Sequence, residues 1–350
     1  MIPLFKPFMP DELPELENIL QSGNLSYGKW GRKFESLIAE YLGNPLVLAT
    51  NSYNSAYLVA ITTLGLKRGD SVIASPMSCL ASNQPFAAMG VNIIWADIDP
   101  QTGTLDPEDV RKKIAPETKA IVHNHFCGYA GYISEIESIA RQYSLFLIDD
   151  AIEAFGTKYK NKLIGAQEAD ITVFSFQTVR LPNTIDGGGL SFKDEVLFNK
   201  AVLIRDYGID RSRFRNNIGE INEACDISLP GYGALLSEPN SYIGCQQMMK
   251  IEELIQLQRN NATNYNYQWS NMEGVHPLEP LAYTLPNYWV YGLIVSDKYN
   301  IIQELRKRGF YASGVHLPNY MYSVFGNTES LMGAETFYNK FIAIPCGWWL

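Results

Sequence analysis

Short apolar runs flanked by turn residues recur along the first half of the chain, at "PLVLAT" (45–50), "DSVIASP" (70–76), "NIIWADI" (92–98), "KAIVHNHF" (119–126), "LFLIDDA" (145–151) and "ITVFSF" (171–176). The runs are continuous rather than alternating, as strands buried on both faces require. Between them lie stretches of helical character at 54–66, 81–90, 106–114 and 133–144. Strand and helix in turn predict a largely parallel sheet wrapped by helices. One helix start is marked locally: in "GTLDPEDVRKKI", Asp106 can cap a helix whose first position is Pro107 and whose first turn is acidic.

After Gly189 the order loosens. Residues 191–209 read as a strand followed by a helix and 211–240 as a polar connection without periodicity. Residues 245–270 read as one long helix leading into a smaller lobe that holds "NYWVYGLIV" (287–295) and "IIQELRKRGF" (301–310). The expected class is therefore α/β: a three-layer large domain with a mainly parallel sheet over 1–240, then a linking helix and a small C-terminal α+β lobe over 241–350.

Composition narrows the function classes. At 350 residues, with 46% hydrophobic and 19% charged positions, the chain should fold throughout. A net charge of -9, with no Lys/Arg run longer than "RKR" at 306–308, leaves no basic field for nucleic acid. The opening "MIPLFKPFMPDELPEL" lacks the basic segment and apolar run of a signal peptide, and no stretch approaches a membrane span. No membrane insertion and a cytoplasmic location are the expectations. Cys79, Cys127, Cys225, Cys245 and Cys346 are scattered singly, which suits reduced core thiols better than disulfides or zinc. His123 and His125 alternate at a strand end with no acidic partner at ligand spacing, so no metal is expected.

Ligands of open α/β sheets sit beyond the carboxyl ends of the strands, and three segments fall there. "TNSYNSA" (50–56) runs from a strand into a helix; its free N–H groups suit a phosphate, though any such turn favours Asn and Ser. "LIDDAIEAFG" (147–156) ends a strand with Asp149 and Asp150, and helix capping accounts for one of them more readily than for both. "FSFQTVRLPNTIDGGG" (174–189) carries Ser175 after a β run, a glycine turn at 187–189, and a single basic residue, Arg180.

These segments resemble the DegT/DnrJ/StrS-type sugar-nucleotide aminotransferases, vitamin B6 enzymes of the aspartate aminotransferase fold (fold type I). So do "IPLFKP" near the start, "LQSGNLSYGKWGRKFESLIAEYLG" (20–43), "WADIDPQTGTLDPEDV" (95–110), "GVHLPNY" (314–320) and "FIAIPCGWW" (341–349), and the likeness covers almost the entire chain. It implies a large domain of the PLP-transferase type, a homodimer whose sites are completed across subunits, and a nucleotide-linked sugar used for surface polysaccharides. Family members usually continue past "GWWL" into a final helix, so a looser small lobe is expected.

In the family, pyridoxal phosphate is held as an imine on the lysine of F-S-F-x-x-x-K, which also moves the proton. Arg180 stands at that position here, and an arginine, always protonated, neither forms a stable imine nor acts as a base. Asp150 matches the aspartate that pairs with the pyridinium nitrogen, and Ser175 a phosphate-contacting serine. Glu153 stands where the family has Gln or His beside the phenolic oxygen, Leu80 at the place of the stacking aromatic residue, and Ser52 and Tyr53 in place of Gly-Thr in the phosphate turn. "GYGALLSE" (231–238) lacks an asparagine that reaches across the dimer. Gly28, Lys29 and His316 are the substrate-binding candidates.

The expectation is a homologue without transaminase activity, holding no cofactor as a lysine imine. It would bind a nucleotide sugar or serve as the inactive partner of an active paralogue, its guanidinium paired with Asp150, Glu153 or an anion. One alternative is an aminotransferase or dehydratase using non-covalently bound pyridoxamine or pyridoxal phosphate; another is unrelated chemistry built from Asp149, Asp150, Glu153 and Arg180.

Overall fold

The computed structural model describes residues 1–166, 169–269, 273–326 and 330–350. The helices, in chain order, are α1 Leu16–Gln21, α2 Lys29–Leu42, α3 Tyr53–Thr63, α4 Leu80–Met89, α5 Pro107–Lys113, α6 Ile133–Gln142, α7 Glu195–Arg205, α8 Glu238–Met248, α9 Ile251–Trp269, α10 Lys298–Lys307 and α11 Met332–Lys340. The main sheet is built from β1 Val47–Thr50, β2 Ser71–Ala74, β3 Asn92–Trp95, β4 Thr118–Asn124, β5 Phe146–Asp150, β8 Ile171–Ser175 and β9 Gly188–Phe192. Its order is β1-β9-β8-β5-β4-β2-β3. Neighbours from β8 to β3 run parallel, while β9 is antiparallel to both β8 and β1. A short sheet joins β6 Lys158–Tyr159, β7 Lys162–Leu163 and β11 Thr284–Leu285, and a third, antiparallel one joins β10 Val275–Pro277, β12 Tyr291–Val295 and β13 Phe341–Ile344.

The continuous apolar runs have the predicted meaning. Successive strand residues point to opposite faces, so Ile73, Leu147 and Phe174 enter one core with Phe34 and Ile38 of α2 and Ile133, Ile136 and Ile139 of α6. Val72, Ile148 and Val173 enter the other, against Ala56, Val59 and Ala60 of α3, Phe86 of α4 and Ile204 of α7. Both faces are covered, giving three layers. Asp106 caps α5, its Oδ1 accepting the Glu108 N–H at 2.9 Å, with Pro107 at the first position.

The single helix expected over 245–270 is corrected to two. The first begins earlier, at the Ser237 cap with Pro239 in its first turn, and the two part at Met249 and Lys250. Those two side chains are exposed, whereas Met248 and Ile251 on either side are buried in the same core, so the break keeps the apolar residues of both helices inward. Ser270, the last residue of the expected helix, lies outside the described residues.

Candidate active site

The parallel strands deliver their carboxyl ends to one edge of the sheet, and the chemistry gathers there. β4 and β5 are in a register that sets His123 opposite Asp149. His123 Nδ1 donates to Asp149 Oδ1 at 2.7 Å and His125 Nε2 to Oδ2 at 3.0 Å. The expectation that these histidines lack an acidic partner is thereby corrected: the partner comes from the neighbouring strand, at a sequence distance that ligand-spacing rules do not sample. Burial would raise Asp149, but the two imidazoles hold it well below the usual carboxylate range. Burial also holds the His123 ring below its ordinary value. Ligand atoms of all three lie within 4.8 Å of one another, yet His123 Nδ1, His125 Nε2 and both Asp149 oxygens are paired with each other, and His125 Nδ1 accepts the Gly131 N–H at 3.1 Å.

Asp150, the next residue, faces the other way. Its Oδ1 accepts the Ile152 N–H at 3.2 Å, and the buried Ser82 and Tyr57 side chains lie beside it. Burial pushes its carboxyl up to about 6; these neighbours pull it back, and the charge of Glu153 adds to the rise.

Glu153, buried one turn further on, anchors a second network. Its Oε2 accepts the Cys127 N–H at 2.8 Å and its Oε1 the His316 Nε2–H at 2.9 Å, while Arg180 Nη2 lies 3.4 Å from Oε1. Burial raises this carboxyl too, but His316, Arg180 and the Cys127 N–H outweigh it and hold it below its ordinary value. Arg180 is 8% exposed, and its guanidinium lies 3.9 Å over the Trp289 ring. Phe5 stacks on Trp289 at 4.5 Å, and Trp289 Nε1 donates to the Val179 carbonyl. Arg180 Nε and Nη1 are buried without a hydrogen-bond partner among the described residues. Of the two carboxylates the sequence offers Arg180, it takes Glu153. Cys127 Sγ, Glu153 and His316 also fall within 4.8 Å of one another, with the guanidinium beside them where a metal ion would meet like charge.

Ser52 caps α3, its Oγ accepting the Ser55 N–H at 3.1 Å. β9 passes so close to this start that a Cβ on Gly188 would lie 2.6 Å from the Ser52 carbonyl oxygen, which accounts for a glycine of the 187–189 turn. Tyr53 follows; burial raises its phenol, whose charged surroundings are Cys79, Asp150, Arg180 and Asp186. Ser175 ends β8, its Oγ 3.4 Å from the Gln177 N–H. Cys79, just ahead of Leu80, feels Glu153, Arg180 and Asp150, and both line a cavity of about 480 Å³ with His316 and Lys298. Gly28 and Lys29 line a different cavity, of about 520 Å³, with Trp30 and Glu238. There Glu238 accepts the Trp30 and Gly31 N–H groups and so caps α2. Thus Asp150, Glu153, Arg180 and Tyr53 share one neighbourhood, whereas Gly28 and Lys29 share neither a cavity nor a hydrogen bond with His316.

Sequence reasoning set Cys79 and Cys127 among reduced core thiols rather than at the site, and assigned Trp289 and Lys298 no role. A cysteine or tryptophan inside an apolar run carries no sign of what it faces; Cys79 had one cue, adjacency to Leu80 in "SPMSCLASN".

The seven-stranded, mainly parallel sheet covered by helices on both faces, with ionisable groups gathered at its carboxyl edge, has the fold of the type I sugar aminotransferases. The chain belongs to the DegT/DnrJ/EryC1/StrS aminotransferase family, whose profile matches residues 9–349. It is 28% identical to the UDP-4-amino-4,6-dideoxy-N-acetyl-beta-L-altrosamine transaminase of Helicobacter pylori, over 94% of this chain and 88% of that one. It is likewise 28% identical to the spore coat polysaccharide biosynthesis protein SpsC of Bacillus subtilis, over 76% and 68%. Among solved structures, the sugar aminotransferase CalS13 of Micromonospora echinospora superposes with a TM-score of 0.94 at 27% identity, covering 100% of this chain and 96% of that one. Among the described residues no helix is long and apolar enough to cross a membrane.

Proposed function

We propose that this chain is a nucleotide-sugar-binding member of its family that does not transaminate through a lysine imine, and that it serves the synthesis of surface-polysaccharide sugars. One observation carries the reading: Arg180, the residue that the resemblance sets at the family's lysine position, is clamped between Glu153 and the Trp289 ring. A guanidinium stays protonated and cannot condense with an aldehyde. The residues therefore do not fit pyridoxal phosphate held as an imine. The altered Ser52 and Tyr53 turn supports the same view, because the Tyr53 phenol has Asp150 and Arg180 among its charged neighbours. The nucleotide-sugar class is supported by the likeness to the Helicobacter transaminase, and the polysaccharide context by the likeness to SpsC. A cytoplasmic homodimer, divided into a large domain over 1–240 and a small lobe over 241–350, belongs to this reading, as does an active paralogue as partner.

A second reading has one observation in its favour. Among the described residues Asp150 is a buried carboxylate with no cationic partner, as would suit a protonated pyridine nitrogen of a cofactor bound without a covalent link.

Absorbance titration with pyridoxal phosphate and, separately, pyridoxamine phosphate decides between them. The expected result is no yellow imine band in the wild-type protein, its appearance in Arg180→Lys, and binding of a UDP-linked hexose by calorimetry to both. Saturable binding of the amine form to the wild type, with a spectrum that changes when a keto-sugar nucleotide is added, would establish the second reading instead.

A further inference from the structure

His316 lines the cavity of about 480 Å³ together with Cys79, Lys298, Ser313, Tyr322 and Tyr338. A pyranose ring fits a space of that size. The ring of His316 is fixed from two sides. Its Nε2–H is given to Glu153 at 2.9 Å, and Glu153 is itself held by the Cys127 N–H and by Arg180. Its backbone leaves a γ-turn of the rarer hand: the His316 N–H bonds the Gly314 carbonyl at 2.7 Å, with Val315 between them at φ 60°. A β-branched residue at positive φ is strained, and such strain persists where a side chain must be aimed. With Nε2 protonated, Nδ1 carries the lone pair, and it makes no hydrogen bond among the described residues. A carboxylate thus holds the imidazole of a residue that lines the cavity, the order found in an oriented base.

Lys298 supplies the opposite charge. Its Nζ donates to the Tyr338 carbonyl and lies 3.8 Å over the Tyr338 ring, beside Gly314. Burial pushes its ammonium down to about 8, so it is charged at neutral pH yet ready to give up a proton.

We propose that this cavity carries out cofactor-free keto–enol chemistry on a nucleotide-linked keto-hexose, with His316 as the base and Lys298 as the acid at the carbonyl oxygen. The inference rests on the nucleotide-sugar reading above. His316 Nδ1 takes the proton from the hydroxyl-bearing carbon next to the ketone. The C–H pair becomes the new C=C bond, the carbonyl π pair moves to oxygen, and that oxygen takes a proton from Lys298. The imidazolium then returns its proton to the former carbonyl carbon while the neighbouring hydroxyl re-protonates Lys298. The keto group has moved by one carbon, and no oxidant or reductant is consumed. Glu153 acts through His316 and is a positioning residue.

The test uses the whole protein with a UDP-linked 4-keto-6-deoxy-N-acetylhexosamine in heavy water, followed by proton NMR, with binding measured in parallel by calorimetry. The expected result is loss of the proton signal beside the ketone and growth of the isomeric ketone, without any added cofactor. His316→Gln should slow this by about 100-fold or more, and Lys298→Met by about 10-fold or more, with binding changed only a few-fold. Glu153→Gln should lower kcat with KM unchanged and change the Nε2–H to Nδ1–H tautomer balance of the His316 ring, read by nitrogen NMR, which loss of packing alone would not move. Binding without exchange, exchange that survives in His316→Gln, or exchange that needs pyridoxamine phosphate would overturn this proposal and leave nucleotide-sugar binding intact. Absence of binding would overturn both.

Discussion

Asp149 and Asp150 are consecutive, equally buried and at the end of one strand, yet their surroundings are opposite. Asp149 meets two imidazoles and lies well below the ordinary carboxylate range; Asp150 meets neutral groups and the nearby charge of Glu153, and is pushed up to about 6. The period of two along a strand sends them to different sides of the sheet. Within the Asp149–His123–His125 cluster the polar atoms are answered among the described residues save His123 Nε2, lodged where a Cβ on Gly131 would lie 2.5 Å away. On Asp150's side, among the described residues, a carboxylate has no matching charge and two guanidinium nitrogens have no hydrogen-bond partner. Removing a partner from a buried charge that the fold has answered destabilises the fold, whereas a charge left unanswered itself lowers stability and marks a candidate binding group.

The largest test of that contrast is Asp149→Ala. Removing the shared acceptor strands two buried imidazoles, and urea unfolding should show a loss of about 3–5 kcal/mol. A loss under about 1 kcal/mol would mean the cluster is not structural, and the contrast would collapse. The converse is Asp150→Asn, expected to stabilise the free protein. The folded carboxyl titrates near 6 against an ordinary 3.8. Below 3.8 it is neutral in both states and the substitution gains nothing. Between the two values the wild type takes up its proton on folding, and above 6 it folds with a buried charge. The gain should therefore be about 1–3 kcal/mol at pH 8 and vanish near pH 4. A destabilised variant at pH 8 would mean that Asp150 is answered by a group the contrast overlooks.

The same pair marks how far the sequence could be read. The sheet and its helices follow from apolar periodicity, because burial on both faces writes itself into continuous runs. Arg180, Asp150, Glu153 and Ser175 lie within short, ordered motifs and could be named as candidates for that reason; that Arg180 pairs with Glu153 is what the structure adds. The pairing of Asp149 with His123 was not legible, because it depends on which strands are neighbours and in what register. Nor was Glu153 with His316, 163 residues apart, or the seating of Arg180 on Trp289. Those contacts are made by the closing of distant segments over the sheet edge. The break at Met249 was hidden for a related reason: both halves are helical on their own, and only the core they share decides where the turn falls.

A smaller effect sharpens the comparison within the Asp150 side, where two serines differ in what they already do. Ser52 caps α3, with its Oγ accepting from the Ser55 N–H at 3.1 Å, and Ser52→Ala should cost about 1 kcal/mol in urea.

Ser175 is the smallest case. Its Oγ has only the Gln177 N–H at 3.4 Å, too long to contribute much, although the residue is buried. Ser175→Ala should therefore change the stability of the free protein by less than about 0.5 kcal/mol. If the hydroxyl is held for a ligand, its cost should surface only on binding: the rise in Tm on adding a UDP-linked hexose should be smaller in Ser175→Ala than in Ser52→Ala, once each is compared with its own ligand-free value. Equal rises would put Ser175 with the answered groups, and the unanswered side of the strand end would shrink to Asp150 and Arg180.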